Sequence, residues 1–484
     1  MLMIKKAAGA SPHGGNAYTV RLLAFALFVA LLPSGCSGTE RPTAPAKPQA
    51  IILIGVDTLR ADHLGLHGAS RPTSPFLDQL AEEGVVFDRA FATAPWTLPS
   101  FASIFTGRLQ SGHAAGIRPR TSDTEWEDDR LGPMRQTIVD PAVETLAERL
   151  AAEGFTTIAV AQNPNLDPRF GVGRGFDIYD HVPGTYEDTR RSDVVVDLGL
   201  DYLDNLDPTE KDAFFLFLHF WDPHMQYGAP EPYGGMFTKD LEGGFTLPVA
   251  EDPQPLRRDA SSLSPARKAF MKAAYDEEIR FVDSQFERLV AGLRERGLWD
   301  RSLVIFVSDH GEELFDHGGF EHGHTLYNEV LHVPFIVWGP GIDARRSTEP
   351  VSLADITPTV LDALGLKVTE NVFGASLWPH ISSDEDLPER LIVAEGTLYG
   401  PELKAGLVWP HKVIVDKKRS RNWLFNLDED FGETAGRQRG GELVQSLVQL
   451  LELRLLASGQ NVQLETMELD PELRRQLRSL GYIQ

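Results

Sequence analysis

The sequence predicts an α/β fold: a doubly wound, mostly parallel sheet sandwiched by helices, followed by a small C-terminal α+β antiparallel subdomain. Three observations carry this reading. Five short segments are apolar without interruption, amphipathic helical patterns stand between them, and after about residue 385 the texture changes to short strands with charged turns.

Ile51–Val56 (IILIGV) is the first apolar run and ends in Asp57; Thr157–Ala161, Phe214–Phe220, Leu303–Val307 and Val333–Trp338 are the others. Continuous rather than alternating hydrophobicity means that both faces of a strand are covered, as in a parallel sheet between helix layers. Helical patterns span Pro75–Glu83, Pro141–Ala152, Ser192–Leu206 and Pro265–Arg296. Ser264-Pro265 is a strong start for the last, a cap followed by proline in the first turn. Such β–α alternation builds a doubly wound sheet. Later, Leu391–Glu395, Gly406–Val415 and Trp423–Leu427 read as short strands, with charged turns such as Lys417–Arg421 between them and helical segments from Gly441 onward.

The chain has 484 residues, 42% apolar and 24% charged, which is globular composition and excludes a disordered or collagen-like chain. A net charge of −24 argues against a nucleic-acid partner, because neutralising phosphates needs clustered Lys and Arg. Cys36 is the single cysteine, so no intramolecular disulfide and no thiolate zinc site can form.

Lys5, Lys6 and Arg21 precede the apolar run Leu22–Leu32, which suits a signal-peptide core and is too short to span a bilayer, where about 20 residues are needed. Pro33-Ser34-Gly35-Cys36 then resembles a bacterial lipobox, although Pro33 stands where that pattern has leucine. The expected organisation is a signal peptide over 1–35, a lipidated Cys36 with a Pro-rich tether over 36–49, a catalytic domain over 50–385, and a subdomain with a helical tail over 386–484. That places the protein in a bacterial cell envelope, held to the membrane by a lipid anchor on Cys36. Ser37 rather than Asp after the cysteine favours the outer membrane; an ordinary cleaved signal is the alternative.

Ligands of open α/β sheets bind outside the carboxyl ends of the strands. Here those ends carry Asp57, then His219, Asp222 and His224 (HFWDPH), then Ser308-Asp309-His310-Gly311-Glu312. Histidines 310, 317, 322, 324 and 332 are five of the chain's 14, in a window where an even spread would put fewer than one. Such crowding points to metal-ligating or proton-transfer chemistry. Asp57 alone would read as a turn residue; Asp-His-Gly-Glu at a second strand end makes a turn the poorer account. In APWTLPSFASIFTGR (94–108) a helix would begin near Pro99. Thr97 then sits just before free N–H groups and the positive end of the dipole, a setting for an alkoxide nucleophile or simply for a cap.

Read together, VDTLRADHLGLHG (56–68), TSPFLDQLAEEGVVFDRAFATAPWTLPSFASIFTGR (73–108), HFWDPH (219–224), YDEEIRFVDSQFERL (275–289), SDHGEELFDHG (308–318), HGHTLYNEVLHVPFIVWGPG (322–341) and WLFNLDEDFGETA (423–435) resemble the sulfatase family of the alkaline phosphatase superfamily. The likeness runs from residue 50 to about 440. It implies that Asp57, Asp309 and His310 hold a divalent metal with Thr97 in the nucleophile position beside it. It further implies that His224 meets the substrate or leaving group, that His324 lies where the family has another basic active-site residue, and that Arg108 closes the nucleophile helix.

The departures alter the expected chemistry. The family pattern resembles Cys/Ser-x-Pro-x-Arg, with the Cys or Ser oxidised to formylglycine; this chain has Thr97-Leu98-Pro99-Ser100-Phe101. Threonine cannot give that aldehyde. Asp57-Thr58 stands in place of paired aspartates, and Gly323-His324 in place of a lysine. A formylglycine hydrate expels sulfate by collapsing to the aldehyde, whereas a threonine ester must be resolved by attack on the central atom, which is routine at phosphorus. The expectation is therefore a phosphate mono- or diester hydrolase, or a transferase, acting on a small-molecule or envelope substrate, with His224 or His324 protonating the leaving group. A sulfatase working without formylglycine and a non-catalytic envelope lipoprotein are the alternatives. Hard oxygen ligands with one imidazole suit Mn²⁺, Mg²⁺ or Ca²⁺ and tolerate Zn²⁺. A second metal would draw on Asp222, His224, His322 and His324. Loops 110–140 and 225–263 are expected to shape the pocket, with Trp126, Tyr227 and Tyr233 as candidates to stack on a sugar or aryl group.

Overall fold

Seven apolar residues in a row need cover on both sides, and the computed structural model sets Ala50–Val56 (β1) inside an eight-stranded sheet. The structure describes residues 47–117, 135–182, 191–206, 213–249, 251–368, 371–438 and 441–479. The signal-like segment, Cys36 and Trp126 lie outside the described residues.

The other strands of this sheet are Val85–Phe87 (β2), Thr156–Gln162 (β3), Ile178–Val182 (β4), Phe214–Phe220 (β5), Ser302–Ser308 (β6), Phe335–Trp338 (β7) and Arg345–Ser347 (β8). They lie in the order β8-β2-β7-β6-β1-β5-β3-β4. All neighbours are parallel except at β7, which runs antiparallel to both β6 and β2. The apolar run at β7 thus reports burial of both faces, not strand direction.

Alternation survives inside the apolar runs. On β1, Ile51 and Leu53 pack with Phe101, Ile104 and Phe105 of helix α2 (Thr97–Thr106), the second α-helix of the chain after α1 (Pro75–Ala81), while Ile52, Ile54 and Val56 face Tyr275, Val282 and Phe286 of the long helix Pro265–Glu295. Two helix layers therefore cover one sheet, the doubly wound arrangement. The C-terminal five-stranded antiparallel sheet runs Ile392–Glu395, Leu403–Val408, His411–Asp416, Arg421–Asn426 and Arg437–Gln438. Its Ala394, Leu403, Ile414 and Phe425 join the same core as α2. Buried Lys412 anchors this sheet to the catalytic face through Asn328 Oδ1 at 2.8 Å and Glu433 Oε1 at 2.9 Å.

Three element boundaries differ from the sequence reading. The helix expected from Pro141 starts only at Leu146, because Thr145 and Glu148 form a capping box that fixes the start there. The single strand expected over Gly406–Val415 is a hairpin whose turn falls at Trp409-Pro410, where proline has no N–H for a ladder. The C-terminal tail is not helical throughout: between helices Glu442–Ser458 and Pro471–Ser479, Thr466–Glu468 pairs with Arg135–Thr137.

Gly55 shows how closely α2 is seated. It pairs with His219 and Val307 on the flanking strands, and a Cβ there would stand 2.6 Å from Phe101 Cε1. Gly55→Ala is expected to lower stability by about 1–3 kcal/mol through overpacking. A thermal melt checks this: Tm should fall, and an unchanged Tm would show that α2 can shift without cost.

Candidate active site

Because β1 and β6 are adjacent, parallel and in register at Val56–Ser308, the residues that follow them, Asp57 and Asp309, emerge side by side. The turns are then locked. Asp309 N–H donates to Val56 O at 3.3 Å, Leu59 N–H donates to Ser308 Oγ at 2.9 Å, and Ser308 Oγ donates to His310 O at 2.7 Å. Ser100 Oγ donates to Asp309 O at 2.6 Å, which pins the first turn of α2 against the end of β6. Helix α2 begins at Thr97 itself, earlier than Pro99, and no side chain caps it. The Thr97 hydroxyl, free of any capping duty, faces His310 Nε2 at 3.5 Å and receives Asn163 Nδ2 at 3.2 Å.

Asp57, Thr97, Asp309 and His310 are all fully buried. His310 Nε2 lies 3.6 Å from Asp57 Oδ1 and 3.4 Å from Asp309 Oδ2. Among the described residues these three form the group of His and carboxylate side chains placed to share a metal ion. The hydrogen bonds around them leave the right atoms open. His310 Nδ1 lies 2.9 Å from Gly311 O, and since a carbonyl only accepts, this nitrogen carries the proton and Nε2 presents a lone pair. Asp309 Oδ1 accepts from His310 N–H, and Asp57 Oδ2 accepts from Asn163 Nδ2 at 2.8 Å. Asp57 Oδ1 and Asp309 Oδ2 are buried and accept no hydrogen bond.

The electrostatics agree with that geometry. Burial alone would raise the Asp57 carboxyl, but His224, with His219 and His310, holds it well below the ordinary range. Burial, then the Asp57 charge, pushes Asp309 well above it. Burial and His322 push His310 down to about 3, so the ring is neutral. Two buried carboxylates and an imidazole lone pair within 4 Å repel one another unless a cation lies among them. Two hard oxygens, one imidazole and an adjacent hydroxyl fit a divalent ion of the Mn²⁺, Mg²⁺ or Ca²⁺ type and accommodate Zn²⁺.

The other anticipated residues divide. His224, His322 and His310 form a buried row, with ring centroids 5.2 Å apart for His224–His322 and 4.5 Å for His310–His322. His322 Nδ1 lies 2.9 Å from Glu312 Oε1. His324 is turned away from this row, its Nε2 2.7 Å from Glu313 Oε2. Asp222 Oδ2 accepts from Ser192 N–H and Oγ at the start of helix Ser192–Asn205, so the four residues considered for a second metal do not converge. Arg108 follows Gly107, the C-terminal cap of α2, and so stands at the opposite end of this ten-residue helix from Thr97. Tyr227 is buried and donates to Glu312 Oε2 at 3.1 Å, and Tyr233 packs on Phe281. Phe101, in place of the family arginine, lies edge-on to His219 at 5.3 Å.

Sequence reasoning missed Asn163 and undervalued His219 and His322. Asn163 stands at the carboxyl end of β3, so the strand-end rule that singled out Asp57 would have found it. His219 Nε2 lies 3.4 Å from Asp57 Oδ2.

A cleft of about 340 Å³ opens beside His324 between the catalytic face and the C-terminal sheet, lined among others by Glu313, His317, Arg258, Arg421 and Trp423.

Comparison with known proteins agrees with this architecture. The sulfatase family profile matches residues 49–366. An arylsulfatase of Clostridium perfringens is 28% identical over 373 residues, covering 68% of this chain and 77% of the relative. The multifunctional alkaline phosphatase superfamily protein PehA of Trinickia caryophylli is 27% identical over 402 residues, covering 69% and 77%. The phosphonate monoester hydrolase of Agrobacterium radiobacter shares the fold, with a TM-score of 0.66 at 20% identity over 87% of this chain and 97% of that one.

The cleft wall carries a pH-sensitive contact. His317 stacks on Tyr327 at 3.7 Å, and its ring nitrogens face Glu329 Oε1 at 2.7 Å and Glu433 O at 3.2 Å. Burial opposes its charge, but Glu329, Glu433 O and nearby Glu313 together raise it from 6.5 to about 9. A raised folded-state pKa means that the stabilisation is full below about pH 6.5 and is lost as pH rises through about 9. Denaturant titrations of wild type and His317→Gln should therefore differ most near pH 6 and converge near pH 10; a constant difference would contradict the assignment.

Proposed function

The chain belongs to the sulfatase family, and from that premise we propose that it is a metal-dependent hydrolase of phosphate mono- or diesters with Thr97 as nucleophile. The observation that carries this is the Thr97 hydroxyl at the first position of α2, facing His310 Nε2 beside two open carboxylate oxygens.

A divalent ion held by Asp57, Asp309 and His310 would supply positive charge that lowers the hydroxyl pKa and neutralises phosphoryl oxygens. Thr97 Oγ releases its proton to solvent and forms the bond to phosphorus as the bond to the leaving oxygen breaks, and the N–H groups at the start of α2 favour the charge spread over the other oxygens. His224 and His322 are the imidazoles that border this centre, and one of them delivers the proton to the leaving alkoxide. Water, or an acceptor alcohol in a transferase, then attacks phosphorus and breaks the bond to Thr97 Oγ. His324 belongs to the cleft, where Trp423, Arg258 and Arg421 would receive the rest of the substrate.

The loss of Arg at position 101 supports a phosphoryl over a sulfuryl substrate. Phe101 contributes only an apolar edge beneath His219, and a threonine ester has no aldehyde to collapse to. The arylsulfatase relative supports the second reading, a sulfate-ester hydrolase without formylglycine. The N-terminal pattern supports an envelope protein cut before Cys36, lipidated there and joined through 36–49 to the catalytic region.

The test is a kinetic panel on the soluble chain from Ser37 onward, stripped with chelator and reloaded with Mn²⁺, Mg²⁺, Ca²⁺ or Zn²⁺ singly. An aryl phosphate, a phosphodiester and an aryl sulfate are compared with Thr97→Ala alongside. Phosphoester turnover should dominate, disappear on stripping, and fall by roughly 1,000-fold or more in the variant. Fastest turnover of the aryl sulfate would overturn the choice of ester.

A further inference from the structure

We propose that Asn163 is the positioning residue of the nucleophile: its side-chain amide ties Thr97 Oγ1 to the metal ligand Asp57 and keeps Thr97 as an acceptor, ready to carry negative charge. The proposal rests on Thr97 being the nucleophile and assigns a role to a residue outside the metal ligands.

The amide is fixed at every polar atom. Nδ2 donates to Asp57 Oδ2 at 2.8 Å and to Thr97 Oγ1 at 3.2 Å, and Oδ1 accepts from Asn165 N–H at 2.8 Å. The side chain is fully buried. Its orientation follows from chemistry: rotated by half a turn, the carbonyl oxygen would face a carboxylate and NH₂ would face N–H. The backbone is equally constrained. Asn163 has φ 103° and ψ 123°, a conformation that side-chain-bearing residues rarely adopt. Its carbonyl is held by Leu166 N–H at 2.8 Å and lies 3.0 Å from His181 Nε2, and Pro164 follows. A strained, over-determined residue that aims its side chain into a charged centre is placed there for function.

The consequence is specific to the oxygen that reacts. Asn163 donates to Asp57 Oδ2, with the His219 ring 3.4 Å from the same oxygen, which leaves Oδ1 for the cation. Asn163 gives Thr97 Oγ1 a donor and takes nothing from it, so the threonine keeps its own proton free to leave. When that proton is lost the same N–H strengthens as a bond to an anion. Removal of one such preorganised donor costs roughly 100-fold in kcat.

The test measures kcat, KM, thermal stability and Mn²⁺ affinity by calorimetry in the full chain for wild type, Asn163→Gly and Asn163→Asp. Glycine suits a positive φ without strain, so Asn163→Gly removes the amide and spares the backbone. It should melt no lower than wild type, hold KM within about threefold and Mn²⁺ affinity within about tenfold, and lose about 100-fold in kcat. Asn163→Asp offers an acceptor in the same shape; it should bind Mn²⁺ at least as tightly as wild type and turn over more slowly than Asn163→Gly. The proposal is overturned if Asn163→Gly keeps kcat within threefold of wild type, or if its Mn²⁺ affinity falls in step with kcat, which would make the amide a support of the metal site only. A Thr97→Ala protein with wild-type turnover would instead remove the nucleophile reading, whatever the Asn163 variants do.

Discussion

Like charges held together in a dry interior are the constraint on which this structure turns. Asp57 and Asp309 are fully buried at the ends of neighbouring strands, with the lone pair of His310 between them. Desolvation on this scale is costly unless each charge is paired. The surrounding framework satisfies only half of the ligand atoms: Asn163 serves one oxygen of Asp57, a backbone N–H serves one of Asp309, and a carbonyl fixes His310. What remains open is one oxygen from each carboxylate and one nitrogen, all at the same point, where the charge of a cation compensates what the fold leaves exposed to repulsion.

Much else follows from holding that point still. Parallel register across β5, β1 and β6 brings the strand ends level. Gly55 lets Phe101 press onto the sheet, and Ser100 ties α2 to Asp309 O, so α2 is located from below and from its end. Trp96 Nε1 donates to Gly396 O at 2.7 Å and couples the residue before α2 to the connection between the first two strands of the C-terminal sheet. That sheet also walls the cleft, which gives it a part in the site and not only in the fold. The exchange of arginine for Phe101 makes the floor beneath His219 apolar.

Five of the eight strands and both helix layers were readable in the sequence because burial on two faces leaves an apolar signature; Val85–Phe87, Ile178–Val182 and Arg345–Ser347 were not, being short or only partly buried. Asp57, Asp309 and His310 stood out because two strand ends together carry carboxylates and a histidine, and the family resemblance pointed to them as a metal set. What the sequence hid was direction and aim. Burial looks the same in parallel and antiparallel strands, so β7 could not be oriented. His322 and His324 are two residues apart in one turn, and only the fold shows that Glu312 holds the first in the buried row beside His310 while Glu313 holds the second toward the cleft. Arg108 looked functional by its place in a motif, and helix length carries it to the far end of α2. Asp222, considered only for a second metal, accepts from Ser192 at the start of helix Ser192–Asn205. Asn163 sits at a strand end like Asp57, but a neutral amide carries no signal of metal or acid–base chemistry, and the backbone conformation that aims it, φ 103° and ψ 123°, is not written in the local pattern.

The central claim is that Thr97 Oγ takes the transferred group. Acid quenching during turnover of an activated aryl phosphate, followed by digestion and high-resolution mass measurement, tests it directly. The account predicts one phosphoryl group on the peptide that contains Thr97, absent from Thr97→Ala. A phosphoryl group on any other residue, or steady turnover by Thr97→Ala, would contradict it.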